Sequence, residues 1–471
     1  MKVQPSTSIK TDILSTGTLN LYTIPLKEEK IEIDGCKFYS YGKAGPKQQS
    51  RTIMVLGATG AGKSTLINGM INYILGVKWE DSYRFKLVDE NLMKSQAHSQ
   101  TSEVTVYKLN RREGFQVPFS LTIIGTPGFG DTRGIDRDRE ITQQLQNLFN
   151  SKDGVSEIDA VCFVAQAALA RLTPSQKYVF DSILSIFGKD VAENIRILVT
   201  FADGQKPPVL AGIIESGVPC PKDAKGLPVH FTFNNSALFA DNLSGDDDEE
   251  NFDKMFWKMG TKSMKRFFAA LNQIETKSLV LTKEVLRERK QLELSVENLK
   301  IQVRLGLAKL EEIRETRVKL KEHEAEISRN ENFEFEVRVQ KPNLYGWISE
   351  RQTVKELKEN YEKATGEKMT VEGLMRKLKG EYDVLENEVN KLMEESAKCL
   401  NRLKEIALKT NPLSTPDCIE MLIEGEKQEA KPGWKQRVES LMKMKQKAEY
   451  MAKVEKGEKP LIRESSIDFT P

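Results

Sequence analysis

No apolar run of about 18 residues or more occurs in the 471-residue chain, which excludes an evident membrane-spanning helix. Charge of one sign is lacking too. The 71 basic residues stand against 69 acidic ones, so no net field recruits nucleic acid or an anionic membrane, and partners must be recognised locally. Cysteine is sparse: Cys36, Cys162, Cys220, Cys399 and Cys418 show no C-x-x-C spacing, and the odd number argues against a disulfide framework. The opening stretch carries no apolar signal core, Lys2 excludes an N-myristoyl glycine, and Glu464–Pro471 offers no prenylation cysteine. Together these absences point to a reducing, cytoplasmic setting. The length suits two or three domains, since single cores rarely grow past about 250–300 residues.

What is present begins with Gly57-Ala58-Thr59-Gly60-Ala61-Gly62-Lys63-Ser64-Thr65, preceded by the apolar run Ile53–Leu56 and followed by Leu66-Ile-Asn-Gly-Met70. A strand, a glycine-rich turn and a helix make a phosphate-binding loop. The glycines let successive backbone N–H groups face one point, and the helix start adds its own N–H groups and dipole. Lys63 can reach β- and γ-phosphates, and the Ser64 hydroxyl suits Mg²⁺, a hard ion that prefers oxygen.

Along the chain, residues 1–50 read as a loosely attached, partly disordered leader with at most one edge strand. From 51 to 272, apolar runs bounded by turn residues alternate with helical patterns, which predicts an α/β domain with a mostly parallel sheet flanked by helices. Its expected strands are Thr52–Leu56, Thr105–Leu109, Phe119–Ile124, Ala160–Ala165, Ile195–Phe201 and His230–Phe233. Residues 273–410 turn charged and poor in glycine and proline. One apolar seam runs Leu292, Val296, Leu299, Val303, Gly306, Leu310, Ile313; another runs Tyr382, Leu385, Val389, Leu392, Ser396, Cys399, Leu403, Ile406. Spacings of three and four predict an α-helical coiled-coil or bundle, most simply two antiparallel helices. A small β insertion near 333–349 joins them, because Phe333–Val339 alternates strictly and Lys341–Trp347 breaks helix. Shorter helices are expected over 411–457, and a flexible tail over 458–471.

A phosphate loop does not say which nucleotide is bound; later strand ends do. Gly125-Thr-Pro-Gly128-Phe-Gly-Asp131 follows its strand where a γ-phosphate sensor belongs, with the Gly128 N–H as the sensing group. Thr200-Phe-Ala-Asp203 places a carboxylate that can accept paired bonds from guanine N1–H and N2–H₂, which adenine does not offer. Asn234-Asn-Ser236-Ala237 supplies a backbone N–H for guanine O6.

In order and spacing these motifs resemble a P-loop GTPase of the septin and immune-associated (GIMAP, paraseptin) branch, over about residues 51–272. The resemblance implies GTP or GDP with Mg²⁺, Lys63, Thr101 and Gly128 as the groups acting on the terminal phosphate, and Ser64 and Thr101 as metal ligands. It implies nucleotide contacts from residues 57–65, Thr200, Asp203, Ser236 and Ala237, and a homodimer or homo-oligomer formed through the nucleotide domain. Two positions depart from the family pattern. Gly125 stands where an aspartate usually supports the metal, a kind of change that commonly costs ten- to a hundredfold in metal affinity or activity. Phe201 stands where a lysine usually covers the base, although a ring can stack there. Relatives also carry a Cys- and His-rich segment after the strand 333–339, and here it holds neither residue, so no zinc site is assigned.

The polar stretch Ser95–Ser102 is expected to be the first switch, with Thr101 completing the metal shell; a plain surface loop is the competing reading. His98, Arg133 and Arg137 are candidates for polarising water or neutralising phosphoryl charge, set against ordinary solvated or ion-paired roles. The run Asp246–Glu250 reads as a helix N-terminus rather than a metal cluster. The expectation is therefore a slowly hydrolysing GTP-dependent switch or assembly protein, with partner proteins on its helical stalk. A non-catalytic nucleotide-holding scaffold is the alternative. A coiled-coil ATPase requires a hydrophobic strand ending in Asp-Glu near the C-terminus, and none is present.

Overall fold

The described residues form fifteen strands: β1 (Ile13–Ser15), β2 (Asn20–Thr23), β3 (Lys27–Glu28), β4 (Cys36–Tyr41), β5 (Ser50–Gly57), β6 (Tyr83–Lys86), β7 (Val104–Leu109), β8 (Ser120–Gly125), β9 (Glu157–Ile158), β10 (Ala160–Gln166), β11 (Ile195–Thr200), β12 (His230–Thr232), β13 (Lys277–Ser278), β14 (Glu336–Asn343) and β15 (Gly346–Thr353). The computed structural model describes residues 13–15, 19–45, 48–88, 103–130, 135–170, 174–240, 247–322, 336–343, 346–353, 356, 359, 363, 371–409, 416–429 and 434–456. They fall into two compact units, Met1–Arg287 with Leu403–Lys445, and Glu288–Arg402 with Gln446–Pro471.

In the first unit, eight strands make one sheet in the order β12-β11-β10-β5-β8-β7-β4-β3. The five strands from β12 to β8 run parallel, β7 is antiparallel to β8, and β4 is parallel to β7. The reason β5 sits centrally is legible in its side chains: Ile53, Met54, Val55 and Leu56 are fully buried, as a strand covered on both faces requires. The flanking helices are α1 (Lys63–Ile74), α2 (Ile135–Asn150), α3 (Pro174–Leu184), α4 (Val209–Glu215) and α5 (Asp247–Leu271). All six expected strands are present, with ends shifted by a few residues.

Among the described residues of 1–50, more strand is formed than the single edge strand expected. β4 lies in full register with β7, from Cys36 opposite Val104 to Tyr41 opposite Leu109, and β3 forms the sheet edge. Phe38 and Tyr41 are buried, and Tyr39 stacks on Tyr107 at 5.9 Å. β2 pairs in parallel with β6, which the sequence pattern did not signal. These short strands gain their apolar partners only from sheet neighbours distant in sequence.

At the edge opposite the strand C-termini, Arg51 closes the domain. Its guanidinium binds Asp159 at 2.5 Å and the carbonyls of Asn272 and Ile274, both at 2.7 Å, while Asp159 also accepts from Thr52 N–H and the Thr276 hydroxyl. The start of β5, the approach to β10 and the chain leaving α5 are thereby held together. The C-terminal part of the unit docks against α3. Leu408 N–H donates to Phe187 O at 3.0 Å, Lys409 pairs with the buried Asp181 at 3.1 Å and donates to Ser216 O at 2.9 Å, and the helix Pro416–Glu429 packs on α3.

In the second unit, α6 (Val280–Glu322, whose first turns belong to the first unit) and the helix Val371–Ile406 run antiparallel, since Lys309 bonds Glu381 while Glu288 bonds Cys399. Between them in sequence, β14 and β15 pair as an antiparallel hairpin, from Glu336 opposite Thr353 to Asn343 opposite Gly346. Leu292, Val296, Leu299, Val303 and Ile313 are buried as expected. The expected seam position Leu310 is only partly buried, and Lys309 is buried instead. Its ammonium sits between Glu312 (2.8 Å) and Glu381 (2.6 Å). Burial alone would lower its pKa, but these two carboxylates raise it above the ordinary lysine value. Likewise Glu386 is buried where Leu385 was expected, so this seam carries polar groups that favour one pairing register. Among the described residues no helix is long and apolar enough to cross a membrane.

Asp159→Ala removes the carboxylate and leaves the Arg51 guanidinium buried with carbonyls alone. Urea unfolding is expected to show a loss of about 3–5 kcal/mol, the usual cost of breaking one side of a buried pair.

Candidate functional site

The phosphate loop leaves β5 at Gly57, packed so closely on β10 that a Cβ there would lie 2.5 Å from Val164 O. Gly60 (φ 78°) and Gly62 (φ 81°) take left-handed conformations that a side chain would strain, and Gly62 caps α1. The first bond of the α1 ladder is Leu66 N–H to Gly62 O at 3.0 Å, so the N–H groups of Lys63, Ser64 and Thr65 face the loop. Two carbonyls of the loop are turned away from its mouth: Gly60 O accepts from Gln166 Nε2 at 3.0 Å, and Ala61 O from the buried Thr200 hydroxyl at 2.8 Å. The Lys63 ammonium lies across the loop, donating to Ala58 O at 2.8 Å and Gly57 O at 3.2 Å. An anion entering there meets a cation and a helix N-terminus.

The sensor segment lies directly against this loop. Thr59 N–H donates to Phe129 O at 2.9 Å, and Phe129 N–H to Gly57 O at 3.1 Å. Gly128 is pressed onto Thr59, where a Cβ would come within 2.7 Å of three Thr59 atoms. Thr126 anchors the segment through a bond to Val55 O at 3.1 Å, and Asp138 of α2 accepts Gly130 N–H at 3.0 Å. Asp138 also bonds Tyr178 of α3, whose hydroxyl pKa is pushed well up, by burial first and by that carboxylate second. Gly125, the last residue of β8, has Ile67, the Thr105 carbonyl and the Tyr107 ring at ordinary contact distance from where a Cβ would stand, so the position expected to support a metal has no carboxylate and mostly apolar neighbours.

Beyond β11, Phe201 is 57% exposed at φ 52°, a conformation costly for a bulky side chain, with its ring about a van der Waals contact from Gly62. Asp203 is exposed, and its Oδ1 accepts Gln205 N–H at 2.9 Å. Beyond β12, Asn234 Oδ1 takes both the N–H (3.2 Å) and the hydroxyl (2.8 Å) of Ser236, opening the turn that buries Ala237. The ends of β5, β8, β11 and β12 all open on the C-terminal edge of the parallel strands, where open α/β sheets hold ligands.

Of the residues expected from sequence, Gly57, Ala58, Thr59, Gly60, Ala61, Gly62, Lys63, Ser64, Thr65, Gly128, Thr200, Asp203, Ser236 and Ala237 stand on this edge. Thr101, His98, Asp131 and Arg133 lie outside the described residues. Arg137 is buried in α2 and paired with Glu140 one turn on, an ion-paired use rather than a phosphoryl contact. Sequence reasoning missed Gln166, Asn234 and Asp138. Asn234 was findable, since an asparagine two residues before a serine at a strand end is a capping pattern. Gln166 was marked only by being the first polar residue after a buried strand.

Residues 47–151 match the family model for septins. Over those residues the domain resembles septins. The matched span runs through the phosphate loop, the sensor segment and α2, and stops before Gln166, Thr200 and Asp203. Solved structures similar to the septin-like domain include Toc33 from Arabidopsis thaliana in three forms. A dimerization-deficient mutant is 16% identical over 46% of this chain and 85% of its own, with a TM-score of 0.29. The complex with Mg²⁺ and GMPPNP is 16% identical over 49% and 88%, with a TM-score of 0.30. The complex with GDP and Mg²⁺ is 17% identical over 48% and 87%, again with a TM-score of 0.30. No curated protein matches the chain significantly.

Gly128→Ala forces the two loops apart, because its Cβ would collide with the Thr59 backbone as well as its hydroxyl, and the backbone clash is not relieved by a rotamer change. Amide exchange at Thr59 and Phe129 is expected to rise by at least tenfold, while exchange in β5 and β10 stays unchanged.

Proposed function

We propose that the septin-like domain binds a guanine nucleotide with Mg²⁺ and that the chain acts as a nucleotide-dependent switch or assembly protein. The observation that carries this reading is the meeting, on one sheet edge, of the Lys63 loop, the Gly128 sensor, the exposed Asp203 carboxylate and the Ser236 turn. Lys63 and the first-turn N–H groups of α1 hold the phosphates. Asp203 accepts the paired guanine donors, Phe201 lies over the base, and the Ala237 N–H meets O6. The Ser64 hydroxyl fits Mg²⁺ as a hard oxygen donor at the helix start, and the ion when bound neutralises phosphate charge. Thr101 is proposed as its second hydroxyl ligand.

The nucleotide state is read through the sensor. A terminal phosphate placed between Lys63 and Gly128 breaks the bridge from Thr59 to Phe129, and Asp138 with Tyr178 passes the displacement to α2 and α3. Hydrolysis is slow, because Gly125 offers no carboxylate and its surroundings are mostly apolar. The same observation supports a second reading, in which nucleotide is a structural ligand and the helices do the work through partners. Exposed Phe201 beside Asp203 supports pairing of two nucleotide domains across the guanine edge. Leu294, Ile301 and Leu307, exposed on α6, offer apolar surface to protein partners. A cytoplasmic setting suits this assignment.

Fluorescent GTP with Mg²⁺ tests the reading. The wild-type chain is expected to bind it and to prefer GTP over ATP; Lys63→Ala should weaken binding at least a hundredfold, and Asp203→Ala should erase the base preference. A folded wild-type chain that binds neither nucleotide would sink the proposal. Phosphate release together with light scattering separates the two readings: turnover with nucleotide-dependent mass fits the switch, and constant mass without turnover fits the scaffold.

A further inference from the structure

Away from the nucleotide edge, the first unit carries a groove of about 810 Å³ between α5, the segment Val77–Glu80 that follows α1, and residues Gln116–Pro118. Its rim is strongly basic. Lys254, Lys258, Lys262 and Lys265 line it from α5, spaced by four, four and three residues and so stacked on one helix face, and Lys78 stands on the opposite wall. Among the described residues the one carboxylate lining it is Glu80. Like charges at this spacing destabilise an isolated helix, so the row needs a reason beyond folding. Below it, the fully buried Arg84 guanidinium is satisfied by the carbonyls of Trp79, Asp81, Tyr83 and Leu238, which adds positive potential without a bonded carboxylate.

The floor is apolar, and its ring faces are already in use. Tyr73 stacks on Phe268 with planes 10° apart and centroids at 5.6 Å, and Arg84 covers the face of Trp257 at 4.4 Å. Bases therefore find no open ring to stack on, which argues against single-stranded nucleic acid. The site is concave, with walls on both sides, so a flat bilayer surface does not reach the floor. The exposed Thr261 and Ala269 are small and open the α5 face. From Lys254 to Ala269 the helix runs about 22 Å at 1.5 Å per residue, the length of roughly four turns.

We propose that this groove docks an acidic amphipathic helix of a partner protein, with the helix's aliphatic side chains on the aromatic edges and its carboxylates against the lysine row. The mode is helix-in-groove recognition: apolar anchors give affinity, and the charges set orientation and association rate. Its lysine row lies off the nucleotide edge, although Arg84 beneath it reaches the turn after β12 through Leu238 O.

The test uses the full chain and a fluorescein-labelled 18-residue helical peptide with leucines at i, i+3, i+4 and i+7 and glutamates elsewhere. A counterpart with glutamine for glutamate, a labelled oligouridine and vesicles containing phosphatidylserine are measured beside it. The acidic peptide is expected to raise anisotropy on binding, to weaken with salt, and to bind at least tenfold more tightly than the glutamine peptide. The double variant Lys258→Glu with Lys262→Glu should weaken it at least tenfold. Thr261→Trp, which fills the groove and leaves charge unchanged, should do the same. All three positions are exposed, and unchanged thermal melting confirms the fold. No binding by the acidic peptide, equal affinity for the glutamine peptide, or insensitivity to both sets of substitutions overturns the proposal. Tighter binding of oligouridine or vesicles, sensitive to the same lysines, also overturns it and reassigns the groove.

Discussion

Two loops that share backbone hydrogen bonds set the behaviour of the nucleotide edge. Gly128 can lie on Thr59 only because it has no Cβ, and the contact lets Phe129 exchange bonds with the phosphate loop as a short parallel bridge. Everything outward from there is arranged to hold each loop from behind. Gln166 and Thr200 pin the carbonyls of one; Thr126 and Asp138 pin the other. The supports come from four different places in the chain: the ends of β10 and β11, the turn after β8, and α2.

The helical unit depends on a different constraint. A seam of leucines and valines alone tolerates several registers, because one apolar contact replaces another at similar free energy. Lys309 does not slide so freely: Glu312 is on its own helix, but the bond to Glu381 of the facing helix is lost if the register shifts. Thr316 and Ser396, both buried, return their hydroxyls to their own helix one turn back, at Glu312 O and Leu392 O, and so impose no such pairing. The bond from Lys309 to Glu381 thus carries register information that the apolar seam does not.

Much of the nucleotide domain was legible in sequence because its signals are local. The loop from Gly57 to Thr65 needs glycines at fixed offsets, and the strands it joins are continuous apolar runs. The N-terminal strands were not legible, since β4 is specified by its partner β7 more than 60 residues away, and a short mixed-polarity strand has no pattern of its own. The buried Lys309 was missed for a related reason. Its neighbour Leu310 fits the apolar period, and the tertiary pairing that makes lysine the better occupant lies 72 positions along the chain. In the site, the Thr200 hydroxyl holds Ala61 O, a support for the loop that no motif announces.

Asp181 and Lys409 carry a topological consequence. Because the chain returns after residue 402 to pack on α3, the first unit is written in two separated pieces, and the long helices with their hairpin are an excursion from within it rather than an appendage at its end. An excursion of that kind is tethered at both ends. A chain that stopped after α5 would leave the face of α3 without its C-terminal cover.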